Sequence, residues 1–160
     1  MVEGLGLGYR GPAMSVVRQS VVVEAPPEEV WRVIADPRNL PRWNSHIKSV
    51  EDLPDGELSA GDHYGVKLRV MGAPINVRAE VVELQPRRYA EVILSGPVDA
   101  TVRTYVRPLG SRRTRVEHEI HYRFRGGPLG ELVAKGVKML GAATLIKRGL
   151  KAQKAQVERG

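Results

Sequence analysis

The sequence predicts an α+β domain in which one long C-terminal helix is gripped by an antiparallel sheet. Three observations predict it. Pro128 to about Val157 has helical periodicity, the residues before it read almost wholly as strands, and those strands alternate between apolar and polar side chains. In the terminal stretch Leu129, Leu132, Val133, Gly136, Val137, Met139, Leu140, Ala143, Ile146 and Leu150 share one half of the helical wheel. Glu131, Lys135 and Lys138 hold the other half. A single helix of this extent would be about 45 Å long at 1.5 Å per residue, and needs a broad partner surface.

Taken in order, residues 1–14 are glycine-rich and without periodicity, and are expected to be a flexible lead, with Met14 nearer the natural start. Gly6-Leu7-Gly8-Tyr9-Arg10-Gly11 spells G-x-G-x-x-G. It lacks the preceding strand and following helix that let such glycines receive a pyrophosphate, so the motif is rejected. Residues 15–157 read as one domain. Ser15 to Glu24 is rich in β-branched valine and predicts a first strand, stopped by Ala25-Pro26-Pro27. A short helix follows from Glu28, with acid in its first turn as the helix dipole favours. Asp36-Pro37 then predicts an N-cap and first-turn proline for a second short helix, to about Arg42. Trp43 closes this unit as a plug where the helix pair meets the sheet.

Six more strands are predicted near 45–53, 62–71, 74–85, 88–95, 98–107 and 112–125. The breaks between them hold Pro54-Asp55-Gly56, Met71-Gly72-Ala73-Pro74, Gln85-Pro86-Arg87, Ser95-Gly96-Pro97 and Pro108-Leu109-Gly110-Ser111. Connections this short join antiparallel neighbours. The inward face carries Thr114, Val116, His118, Ile120, Tyr122 and Phe124 in the last strand, and Val98, Ala100, Val102, Thr104 and Val106 in the one before. Tyr64, Val66, Leu68 and Val70 form a third row, Ile75, Val77, Ala79 and Val81 a fourth, and Ala90, Val92 and Leu94 a fifth.

The chain of 160 residues is long enough for a true core. Zero cysteines exclude disulfides, thiolate chemistry and cysteine zinc sites; a cytoplasmic location is the simplest expectation. No run approaches ~18 uninterrupted apolar residues, so no membrane span is predicted. The net charge of +7 suits a polyanionic partner, but the excess is spread over many arginines and reads first as a solvated surface. Lys147 falls inside the apolar arc, and Lys151 and Lys154 continue that face. The last three turns are therefore expected to project beyond the sheet as a solvated basic end, phosphate contact being the alternative.

Small residues on both walls, Gly136 and Ala143 on the helix with Ala79, Ala90 and Ala100 on the sheet, predict a cavity between them. His118, Tyr122, Thr104 and Tyr64 place polar groups on its apolar walls, as small-molecule pockets do. His118 can act as acid, base or hydrogen-bond donor near neutral pH. His121 lies on the opposite face, and His46 and His63 have no carboxylate at ligand spacing, so no metal is predicted. No nucleophile elbow, phosphate loop or inward carboxylate pair is present, and no cofactor is expected.

Ala25-Pro26-Pro27-Glu28-Glu29-Val30-Trp31 with Asp36-Pro37 and Trp43, after a valine-rich strand, resembles the START-like polyketide cyclase/dehydrase and lipid transport superfamily over about residues 15–157. The resemblance implies the helix-grip fold: a seven-stranded antiparallel sheet wrapped around a long C-terminal helix, with two short helices after the first strand. It also implies a hydrophobic cavity. Three functions are compatible. One is binding of a lipid-like or aromatic molecule by Leu68, Val102, Thr104, His118, Tyr122, Leu132, Gly136 and Leu140, with Trp43 and Tyr64 at the mouth. The second is polyketide aromatase/cyclase chemistry, with His118 or Tyr122 moving protons. The third is a RatA-like association with ribosome or RNA. Family cyclases carry a pocket arginine, whereas Arg78, Arg103 and Arg123 fall at outward positions here.

Overall fold

A computed structural model describes residues 14–160; the predicted flexible lead and its glycine motif lie outside the described residues, Met14 apart. Seven strands form one antiparallel sheet: β1 (Ser15–Val23), β2 (Ile47–Glu51), β3 (His63–Val70), β4 (Ala73–Gln85), β5 (Tyr89–Ser95), β6 (Val98–Gly110) and β7 (Arg113–Phe124). Their spatial order is β1-β7-β6-β5-β4-β3-β2, so β1 and β2 are the edges. Two short helices, α1 (Pro27–Ile34) and α2 (Leu40–Trp43), connect those edges, joined by a 3-10 turn over Pro37–Asn39. Asp36 caps that turn by accepting from the Arg38 amide at 3.0 Å. The β3–β4 hairpin turns on Met71 (φ 50°) and Gly72 (φ 84°), the pair of positive φ values that a two-residue turn matched to strand twist requires.

The C-terminal helical region differs from the expected unbroken rod. It comprises α3 (Pro128–Leu140) and α4 (Ala142–Glu158), interrupted at Gly141, whose φ of 85° and ψ of 125° lie outside helical values. The interruption resets the helical phase. Val133 is buried, while Leu129, Met139 and Leu140, expected on the inward arc, are 48%, 71% and 37% exposed.

Two cores result. Tyr64, Val66, Ile75, Val77, Ala79 and Val81 of β3 and β4 pack with Val133 of α3. Val23, Ala25, Val30 and Val116 pack with Leu150 and Val157 of α4. Thr114, fully buried, donates from its hydroxyl to the Ala25 carbonyl at 2.7 Å and pins the corner between β1 and α1.

The last turns of α4 do not project, which corrects the expected solvated basic end. They run along the open edge of β1. Lys147 donates to the Ser20 carbonyl at 2.5 Å and Lys154 to the Val22 carbonyl at 2.8 Å, while Glu158 accepts from the Glu24 amide at 2.8 Å. Aliphatic stems allow the lysines to cover apolar surface while the ammonium groups satisfy strand carbonyls that have no neighbouring strand.

Candidate functional site

The strand register arranges the inward residues in rows across the sheet. Tyr64, Ala79, Leu94, Ala100 and Tyr122 form one row; Val81, Val92, Val102, Ile120 and Val17 form the next. Leu84, Ala90, Thr104, His118 and Gln19 form the third. Tyr64, Val102, Thr104, His118 and Tyr122, read from alternation alone, thus occupy three consecutive rows of one face. Leu68 lies further along β3, opposite Ile75.

Between this face and the C-terminal helices lies a hollow of about 150 Å³. Its sheet side is Val17, Val98, Ala100, Ile120, Tyr122 and Phe124; its roof is Val133 and Val137 of α3 with Ala142, Leu145 and Ile146 of α4. Tyr122 contributes its ring to a wholly apolar wall, edge-on to Phe124 at 5.5 Å between centroids.

Two rows away from Tyr122, His118 is held from both sides. Nδ1 lies 2.9 Å from Thr104 Oγ1 and Nε2 lies 3.1 Å from Gln153 Oε1. An amide oxygen only accepts, so Nε2 carries the proton and Nδ1 accepts from the Thr104 hydroxyl. The ring is half-buried between sheet and helix, and its desolvation holds the pKa below the usual 6.5, the Gln153 bond partly offsetting the shift. The imidazole is neutral and committed to protein partners.

The remaining candidates fall elsewhere. Trp43 does not line this hollow: its Nε1–H donates to Gln156 Oε1 of α4 at 2.9 Å, and Gln156 in turn donates to Asn39. Tyr64 is buried in the β3–β4 core, which pushes its hydroxyl pKa up to about 12. Gly136 does not border empty space, because a Cβ there would sit 2.8 Å from Val70 Cγ1. Leu132 and the exposed Leu140 are absent from the lining, as are Leu68, Val102, Thr104 and His118. Sequence reasoning missed Ala142 and Leu145 because the Gly141 interruption turns α4 relative to α3, and Val17 because the pairing of β1 with β7 joins segments distant in sequence. It missed Gln153 because the surrounding lysines suggested a solvated face.

A second, larger cleft of about 470 Å³ lies against α1 and the 3-10 turn, lined by Trp31, Arg32, Asp36, Arg38, Glu57 and Leu84 among others. Leu84 begins the row that ends at His118 and Gln19, so this cleft opens over the same sheet face.

The outward face is charged. Arg18, Glu119, Arg103 and Glu91 alternate in sign across β1, β7, β6 and β5. Arg18 bonds Glu119, and Arg103 lies 3.8 Å from both Glu119 and Glu91. The Arg18 bond leads in holding the Glu119 carboxyl below the usual carboxylate range. Arg123 likewise faces Asp99, at 3.9 Å.

A seven-stranded antiparallel sheet closed by C-terminal helices over an apolar hollow defines a helix-grip protein. The sequence model for the family described as polyketide cyclase / dehydrase and lipid transport matches residues 14–158, and the chain belongs to that family. No curated protein matches the sequence. Among solved structures, the Zhui aromatase/cyclase from Streptomyces sp. R1128 is similar at 20% identity, covering 91% of this chain and 94% of that one, with a TM-score of 0.73. A START superfamily protein from Mycobacterium smegmatis is similar at 21% identity, covering 90% and 97%, with a TM-score of 0.68. Norcoclaurine synthase from Thalictrum flavum reaches 18% identity, 94% and 98% coverage and a TM-score of 0.68. These likenesses carry the fold.

Proposed function

We propose that the protein binds a hydrophobic small molecule, aromatic or lipid-like, between the sheet and its C-terminal helices. The observation that carries this reading is the lining of the hollow, ten apolar residues and Tyr122. An apolar hollow of about 150 Å³ has room for a single aromatic ring. A larger guest needs α3 to move outward. The Tyr122 ring supplies an apolar face for the guest; His118, tied to Thr104 and Gln153, serves by holding α4 to the sheet.

Native mass spectrometry of the protein as purified, with uptake of a naphthalene-based fluorescent probe, tests this. The expected result is a carried or captured apolar guest that is lost in Ala100→Leu and Val137→Phe, which fill the hollow. Equal uptake by the filled variants would refute the reading.

Aromatase/cyclase chemistry in the same hollow is the second reading. It is favoured by the family, whose description includes polyketide cyclase and dehydrase, and by fold similarity to the Streptomyces cyclase. Turnover of a linear polyketone that falls in Tyr122→Phe, with affinity retained, would select it.

A further inference from the structure

We propose that the outward sheet face at the β6–β7 hairpin end is a docking surface for single-stranded nucleic acid. The register sets Arg107 directly opposite Arg115. Like charges in that position oppose pairing of the strands, and among the described residues neither has a carboxylate within 4.0 Å. Two rows away on the same face, Arg18, Glu119, Arg103 and Glu91 neutralise one another, so the uncompensated charge is local.

The same end gathers further exposed guanidinium groups. Arg88 accepts from the Val106 amide at 2.9 Å through its carbonyl, which fixes the Arg87–Arg88 turn beside Arg107. Arg112 lies in the hairpin itself. Two acids are nearby: Glu117, opposite Tyr105, shares Arg18 with Glu119 at 3.3 Å, and Glu24 lies 3.2 Å from Arg113, so the arginines at this end outnumber the carboxylates.

Between the charged rows stand Tyr105 and Tyr89, with ring centroids 5.2 Å apart and the Arg107 guanidinium 5.5 Å from the Tyr105 ring centre. Flat aromatic and guanidinium groups beside free cations suit a strand whose bases stack while its phosphates pair with arginine. A membrane fits less well. On this hairpin Leu109 is the exposed large apolar side chain, at 48%, and one leucine gives a bilayer little to hold.

Fluorescence anisotropy with labelled oligouridine and oligothymidine across a salt series tests the proposal on the full chain. Binding of either strand upholds it, and the ratio of the two affinities tells RNA from DNA. Arg107→Gln with Arg115→Gln should weaken binding roughly tenfold and lower the salt slope by about 1.4, since each single-strand phosphate contact contributes about 0.7. Tyr105→Leu should weaken binding without changing that slope. Removing two opposed arginines relieves repulsion, so the melting temperature should not fall; Arg107→Lys with Arg115→Lys should retain most of the affinity. Absence of binding to both strands at about 50 mM salt would overturn the proposal. So would an equal loss from Arg148→Gln with Lys151→Gln on α4, or binding to phosphatidylglycerol vesicles that neither strand displaces.

Discussion

His118 and Gln153 join the sheet to α4 through a single hydrogen bond, imidazole Nε2–H to amide Oε1 at 3.1 Å. With Thr104 on the other nitrogen, the ring spans β6, β7 and the helix. Removing the imidazole leaves an amide and a hydroxyl unsatisfied in a buried place. His118→Ala should therefore cost roughly 2–4 kcal/mol of stability, measured by urea unfolding, as well as altering the interior. The pH dependence follows from the lowered pKa. Below the unfolded value near 6.5, the unfolded chain binds a proton that the native ring resists. Stability then falls as pH drops from about 6.5 toward the native pKa and is level above that window. The wild type should show this loss between neutral and mildly acidic pH, and His118→Gln should show less of it. Parallel profiles for the two proteins would mean that the imidazole is not held neutral.

The lysines on the β1 edge give a second expectation. Lys147→Gln with Lys154→Gln should uncover the Ser20 and Val22 carbonyls. The cost should be about 1 kcal/mol per lysine, below that of a fully buried charged hydrogen bond because Lys154 remains 33% exposed. The open edge should also promote association, read as light scattering that rises with protein concentration. Unchanged melting and scattering would show that water serves the carbonyls as well.

Gly136 and Val70 set the approach of α3 to β3. Gly136→Ala gains about 1 kcal/mol of helix propensity but places a methyl group 2.8 Å from Val70 Cγ1, and overpacking costs about 1–3 kcal/mol. The net should be a loss of up to about 2 kcal/mol. In a Val70→Ala background the same change should turn stabilising. A double-mutant cycle by thermal unfolding checks the sign reversal, and additive effects would show that the two residues do not compete for space.

The sheet was legible from alternation because each strand buries only one side. The segment from Val98 to Val106 and the even positions of 114–124 paired in the register that their apolar faces require. The short helices were legible from proline and acid placement. The Gly141 interruption was not, since a glycine inside an apolar-periodic stretch is compatible with a continuous helix. Lys147 and Lys154 were misread because an open strand edge exists only once strand order is known, and that order depends on contacts distant in sequence. The same blindness hid Gln153: its partner lies 35 positions earlier in the chain.

Gly141 divides more than a helix. Val133 belongs to the packing around β3 and β4, whereas Leu150 and Val157 belong to that around β1, β7 and α1. The thirteen residues of α3, bounded by Gly127 and Gly141, can therefore lift between two glycines while the half of the molecule organised by α4 stays assembled. Entry of a guest then becomes a local opening, and the amide protons of α3 should exchange with solvent well before those of α4.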